Sequence, residues 1–96
     1  DRAEAVKWYR KAAEQGYDDV QSNLGFMYGK GLGVPQDLAM ACAWFNVAAA
    51  SGNENARKKR DRQNEIMTRS QIEKGQALAT EIFDRIQKRK EAAEAV

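Results

Sequence analysis

The sequence predicts an all-α repeat protein, and three observations carry that prediction. Sliding the chain over itself by 36 residues places Asp1, Ala3, Ala5, Trp8, Ala12, Ala13 and Gly16 on Asp37, Ala39, Ala41, Trp44, Ala48, Ala49 and Gly52. These seven identities stand against roughly one expected by chance, and Tyr9 over Phe45 keeps an aromatic ring. The chain is also dense in Ala, Glu, Lys, Arg and Gln, holds one proline, and contains no stretch of strict apolar alternation bounded by turns. Finally, apolar residues recur at spacings of three and four between residues suited to cap helices. Repeats of this kind bury each apolar face against a neighbour, so they display an extended surface rather than enclose a catalytic cavity.

Asp1, with Glu4 three residues later, forms a capping-box arrangement that satisfies free N–H groups and suits the positive end of the helix dipole. A first helix is expected at about 2–15, with Ala5, Trp8, Tyr9 and Ala12 as its apolar stripe and Gly16 as the left-handed residue that ends it. Asp18 is expected to cap a second helix at about 19–29, in which Val20, Leu24, Met27 and Tyr28 recur at helical spacing and Gly25 lets another helix approach. The segment from Gly29 to Gln36 should be a loop, because its glycines accept positive φ and Pro35 holds Val34 extended. Asp37 caps a third helix whose Ala41, Trp44, Phe45 and Ala48 repeat the stripe of the first, and Gly52 ends it. Past residue 53 the pattern turns polar: Ala56 falls over Val20, but Arg60 replaces Leu24 and Asn64 replaces Tyr28. A terminal cap has this character, since its outer face meets water instead of another repeat. Thr68 and Gln71 form a second capping box, opening a long helix with Ile72, Leu78, Ala79, Ile82, Phe83 and Ile86 on one side. Beyond Ile86 the charged tail from Gln87 to Glu94 lacks an apolar stripe and is expected to project into solvent and fray.

Composition narrows the function further. At 96 residues with 43% hydrophobic and 8% aromatic content, the chain is one small domain with a modest core. There is no histidine and one cysteine, so neither a His-based triad, an imidazole metal site nor a thiolate cluster can be assembled. Cys42, flanked by Ala41 and Ala43, reads as a small buried hydrophobe. The glycine loop lacks the Lys-Ser/Thr ending of a phosphate-binding loop and follows a helix, not a strand. Asp1, Asp18 and Asp37 are accounted for as caps. The chain is not expected to be an enzyme, no cofactor or metal is implied, and no apolar run approaches the ~18 residues of a membrane span.

The run Leu24-Gly25-x-x-Tyr28, Gly31-x-Gly33-Val34-Pro35-Gln36-Asp37, Ala41-x-x-Trp44-Phe45, Ala48-Ala49-x-x-Gly52 resembles the Sel-like repeat, a relative of the tetratricopeptide repeat. The glycine loop ending in an aspartate cap separates it from ordinary tetratricopeptide repeats, which lack that insertion. The resemblance implies an α-solenoid, a right-handed superhelix of antiparallel helix pairs with about five helices, in which the first helix of each pair lines the concave face. It divides the chain into 1–16, the second helix of an incomplete repeat; 17–52, a complete repeat; and 53–96, capping helices with a charged tail. Ala56-Arg57-Lys58-x-Arg60-Asp61, with Met67-Thr68-x-x-Gln71-Ile72 and Gln76-x-Leu78-Ala79-x-Glu81, looks like the C-terminal cap of bacterial members. Because Asp1 already stands inside a repeat, a helix preceding it is expected in a longer parent. Family members are mostly adaptors and scaffolds, so the resemblance implies a protein or peptide partner. It leaves the compartment open between bacterial cytoplasm and periplasm.

Within that frame, Trp8 and Trp44 read as core, since each ring fills the gap between close-packed small residues, although Trp8 lacks a helix before it and is expected to be partly exposed. The partner-binding candidates lie on the second helix: Leu24, Gly25 and Tyr28 take its packing side and leave Asn23, Phe26, Met27 and Lys30 for the concave surface. Aromatic and Met side chains give large, adaptable contact area. Residues 57–62 carry five basic side chains in six, an alternative site for nucleic acid or an acidic surface. Against nucleic acid, no aromatic interleaves with that run to stack on bases. The halves also differ little in charge: residues 1–52 hold 5 basic and 6 acidic groups, and 53–96 hold 11 and 8. Self-association through the N-terminal edge or through the last helix is a further expectation.

Overall fold

The computed structural model describes residues 1–95 and contains, among them, five α-helices and no strand: α1 (Arg2–Glu14), α2 (Asp18–Lys30), α3 (Leu38–Ala50), α4 (Glu54–Asn64) and α5 (Arg69–Glu94). The chain is an all-α helical solenoid. Helix α3 is the centre, packed against α2, α4 and α5, whereas α1 packs chiefly against α2. This is why α3 alone carries buried residues on almost every side, including Ala41, Cys42, Ala43, Trp44, Phe45, Val47 and Ala48. An all-round apolar helix is stable only when neighbours cover it on several faces.

Capping chemistry sets most of the boundaries. Asp1 accepts from the Glu4 backbone N–H at 2.9 Å and Asp37 from that of Met40 at 3.0 Å. Thr68 and Gln71 form the reciprocal capping box, with hydrogen bonds of 2.9 and 3.1 Å. Gly16 (φ 100°) and Gly52 (φ 93°) lie one residue past the C-caps of α1 and α3, in the left-handed region that a side chain resists. Asp18 departs from expectation: the N-cap of α2 is Tyr17, which makes no side-chain cap bond, and Asp18 is the first helical residue. Its carboxylate instead accepts from Asn53 Nδ2 at 2.8 Å, while Asp19 accepts from the same nitrogen at 3.1 Å. Asn53 at the same time caps α4 through the Ala56 backbone N–H at 2.8 Å. One amide therefore joins the start of α2 to the start of α4, a long-range pairing that local spacing does not encode.

Close helix crossings need missing side chains. A Cβ on Gly25 would stand 2.8 Å from the Phe45 ring and 3.2 Å from the Ala41 carbonyl, so glycine sets the α2–α3 separation. A Cβ on Gly75 would meet Cys42 Cβ at 2.9 Å and the Ala39 carbonyl at 3.0 Å, and the same argument fixes α5 on α3. Helix α5 buries Gly75, Ala79, Ile82 and Ile86. Phe83, expected on that stripe, is exposed instead and borders a shallow groove of about 220 Å³ with Asn46, Val47, Ala50 and Ala79. The charged end of α5 remains helical to Glu94 rather than fraying after Ile86. Arg85 forms a two-pronged ion pair with Glu14 of α1, and Lys90 lies beside Gly16. These contacts anchor the far end of α5 to α1, 71 residues away in sequence.

Candidate functional site

Helix α2 divides into two faces. Gln21, Ser22, Leu24, Gly25 and Tyr28 are buried. The Tyr28 hydroxyl accepts from Arg10, and Gln21 Nε2 donates to the Ala13 carbonyl at 3.0 Å, so polar contacts as well as apolar ones bind α1 to α2. On the opposite side Asn23, Phe26 and Lys30 are exposed, at spacings of three and four that bring them onto one face. Phe26 keeps 44% of its surface open to solvent. Met27 is half-buried and packs against the core, which leaves it less available than Phe26.

Helix α4 lies alongside α2 and extends this face. Lys59 Nζ stands 5.7 Å from the centre of the Phe26 ring, a cation–π distance. In repeat register Lys59 falls 36 residues after Asn23, Arg62 after Phe26, and Ile66 after Lys30. Ile66, just past the end of α4, is 74% exposed. Farther from this face, a Cβ on Gly29 would stand 2.9 Å from Gln63 Oε1, which brings the two helices together at the end of α2.

The basic run 57–62 proves not to be a uniform patch. Arg57 pairs with Glu54 at 2.9 Å and with Asp61 at 3.4 Å. Arg60 pairs with Asp61 at 3.0 Å and donates to Asn46 Oδ1 of α3 at 2.9 Å. Hydrogen bonding to Arg57, and its charge, hold the Glu54 carboxyl below its ordinary range. Two of the five cations are thus occupied by partners on α4 and α3. Nothing supports nucleic-acid binding by the run.

Trp44 and Trp8 part company. Trp44 is 2% exposed, as the repeat register predicts, whereas Trp8 is 62% exposed and Tyr9 is also open. The buried side of α1 is carried by Val6 and Ala13, which corrects the stripe expected from Trp8 and Tyr9. The physical reason is the absence, among the described residues, of a helix covering α1 as α2 covers α3. Lys11 Nζ lies 4.9 Å over the Trp8 ring. Around it runs an open groove of about 820 Å³ lined by Lys7, Glu14 and, from α5, Arg89.

Cys42 is fully buried, and burial pushes its thiol pKa up against the opposing pull of Arg60. A thiol held protonated in this way is a poor nucleophile. Among the described residues no cluster of acidic, His or Cys side chains is arranged to hold a metal ion, and no helix is long and apolar enough to cross a membrane. Sequence reading missed the joining role of Asn53, whose signal would have been its position 36 residues after Tyr17, at the N-cap of the equivalent helix.

Comparison with known proteins places these features in context. A family model described as Sel1 repeat matches residues 1–17 and 19–53, more than half of the chain. A solved structure of a protective antigen present in uropathogenic Escherichia coli strains, described as displaying an SLR fold, superposes with a TM-score of 0.81 at 34% identity. That alignment covers 92% of this chain and 21% of the antigen's. The DAP3-binding cell death enhancer 1 of Rattus norvegicus is 39% identical over 59 residues, 62% of this chain and 12% of that protein. The chitin synthase regulator SKT5 of Malassezia restricta is 36% identical over 53 residues, 55% of this chain and 4% of that protein. The chain therefore spans only a small part of the proteins it matches.

Proposed function

The chain belongs to the Sel1 repeat family, and from that membership we propose that it is a protein-interaction module that holds a partner on the open face of α2 and α4. Sel1 repeats generally mediate protein–protein interaction, and their fold is typically a non-catalytic scaffold. The relatives' names, a binding protein and a regulator of another enzyme, agree with that role. In the family resemblance this is the concave side of the solenoid.

The observation that carries the reading is Phe26: a large aromatic on a central helix, 44% exposed, although neighbouring Leu24, Gly25 and Tyr28 are buried. Aromatic rings left open at the centre of a rigid face are typical anchors for a partner chain. Asn23 and Lys30 flank it with hydrogen-bonding and charged groups, and Met27, half-buried beside it, packs against the core. The scaffold is preformed, because Gly25 seats α2 against Phe45 and Asn53 locks α2 to α4, so little ordering entropy is lost on association.

The test is replacement of Asn23, Phe26 and Lys30 together by alanine in the full-length parent. Partner affinity, measured by calorimetry on the complex retained in a pull-down, should fall by about 2–4 kcal/mol with helicity preserved. Unchanged affinity at unchanged helicity would eliminate the site.

A further inference from the structure

The charges on the open face point to the chemistry of what it binds, and we infer that the partner segment is an acidic peptide carrying an apolar anchor, its side chain resting on Phe26 and Ile66 and its carboxylates meeting Lys30, Lys59 and Arg62. This inference rests on the proposed use of the α2/α4 face. It follows from how charge is distributed there. The ion pairs among the described residues are Arg57 with Glu54 and Asp61, Arg60 with Asp61, and Arg85 with Glu14. Lys30, Lys59 and Arg62 appear in none of them.

Lys59 is located on this face by its position over Phe26, and Arg62 follows it by three residues, which brings the two onto one side of α4. Within α4, Glu54 and Asp61 are taken up by Arg57 and Arg60, and Glu65 at its C-cap is the one carboxylate beside Arg62 outside the ion pairs. Asp18 and Asp19 keep their charge, but they stand at the start of α2, about two helical turns before Phe26, where the Asn53 amide donates to both. The exposed Phe26 ring thus has Lys59 above it, Lys30 one turn on along α2 and Arg62 one turn on along α4, all three cations outside the ion pairs, and the exposed Ile66 follows the end of α4. Its complement is an acidic chain carrying one apolar anchor. An exposed ring with a cation above it favours such a ligand twice over, since a carboxylate can reach the ammonium while an apolar side chain covers the open part of the ring. A nucleic acid would also meet the cations, but the face offers one aromatic ring where a stacking surface for successive bases needs several.

A random dodecapeptide library displayed on phage, selected on the immobilised chain, tests the inference. Enriched peptides are expected to be net acidic with one aromatic or large aliphatic residue. Their synthetic forms should lose about tenfold or more in affinity to the Lys59→Glu/Arg62→Glu variant, and again to Phe26→Ala, while far-UV circular dichroism and melting temperature match the parent chain. Neutral or basic peptides that still depend on Phe26 would overturn the acidic partner and leave the binding face standing. Peptides indifferent to both variants, or no enrichment at all, would overturn the acidic partner and the face together. An oligothymidine probe that binds more tightly than every selected peptide, and is weakened by the charge reversal, would replace the acidic peptide with nucleic acid.

Discussion

Two tryptophans at the same repeat position carry opposite energetic weight. Trp44 is enclosed by the helices around α3, whereas Trp8 lies over the open groove with Lys11 above its ring. Truncating a buried aromatic removes transfer free energy and leaves a cavity, so Trp44→Ala should cost about 3–5 kcal/mol in urea unfolding. Trp8→Ala should cost no more than about 1 kcal/mol, the scale of an exposed cation–π contact. Equal losses would mean that Trp8 is covered in solution. The difference shows how far sequence reading reaches at this scale. The 36-residue register identified both rings as equivalent, and they are equivalent in their own helices. Burial depends on which neighbours arrive from elsewhere in the array, and periodicity within a single helix carries no such information. Phe26 was legible in part. With Leu24, Gly25 and Tyr28 assigned inward, the side left over contained Phe26 and Met27 alike; Phe26 is exposed, whereas Met27 is half-buried against the core, a distinction that needed the neighbouring helices.

Among the elements, α5 departs furthest from its sequence pattern. Its stripe was legible from Ala79, Ile82 and Ile86, yet the residue that governs how closely it approaches α3 is Gly75, which periodicity treats as a blemish in a helix. Adding a methyl there gains up to about 1 kcal/mol of helix propensity. It also drives a Cβ to 2.9 Å from Cys42 Cβ and 3.0 Å from the Ala39 carbonyl, and backbone cannot yield as a flexible side chain can. Overpacking of this kind costs about 1–3 kcal/mol, so Gly75→Ala should be net destabilising in urea unfolding. A stabilised variant would show that α5 stands farther from α3. The polar end of the same helix was expected to fray because it has no apolar stripe. Its contacts with Glu14 of α1 and with Gly16 just past that helix arise from residues far apart in sequence, and such pairings are invisible to a reading based on local spacing. Asn53 belongs to the same class, since an N-cap residue that also binds two aspartates of another helix looks, in sequence, like an N-cap alone.

Across the whole molecule, burial is concentrated on α3 and the inner side of α5, whereas the proposed face lies on α2 and α4. Small residues bury the contact surfaces of α3 and α5, while Asn23, Phe26 and Lys30 of α2 and Arg62 of α4 are exposed, with Lys59 half-buried over the Phe26 ring. Class, helix order and the repeat register were all readable before any coordinates, because glycine loops, caps and stripes are local signals. The pairing of α2 with α4, and the separation of the basic run into occupied and free cations, needed the tertiary arrangement. The most direct measurement is a titration of the isotopically labelled chain with its partner segment, followed through backbone amide chemical shifts. The account predicts that the largest changes fall on residues 23–30 of α2 and 59–66 of α4, with α1 and α5 little affected. Changes concentrated instead on Trp8 and its neighbours in α1, with Phe26 undisturbed, would contradict it.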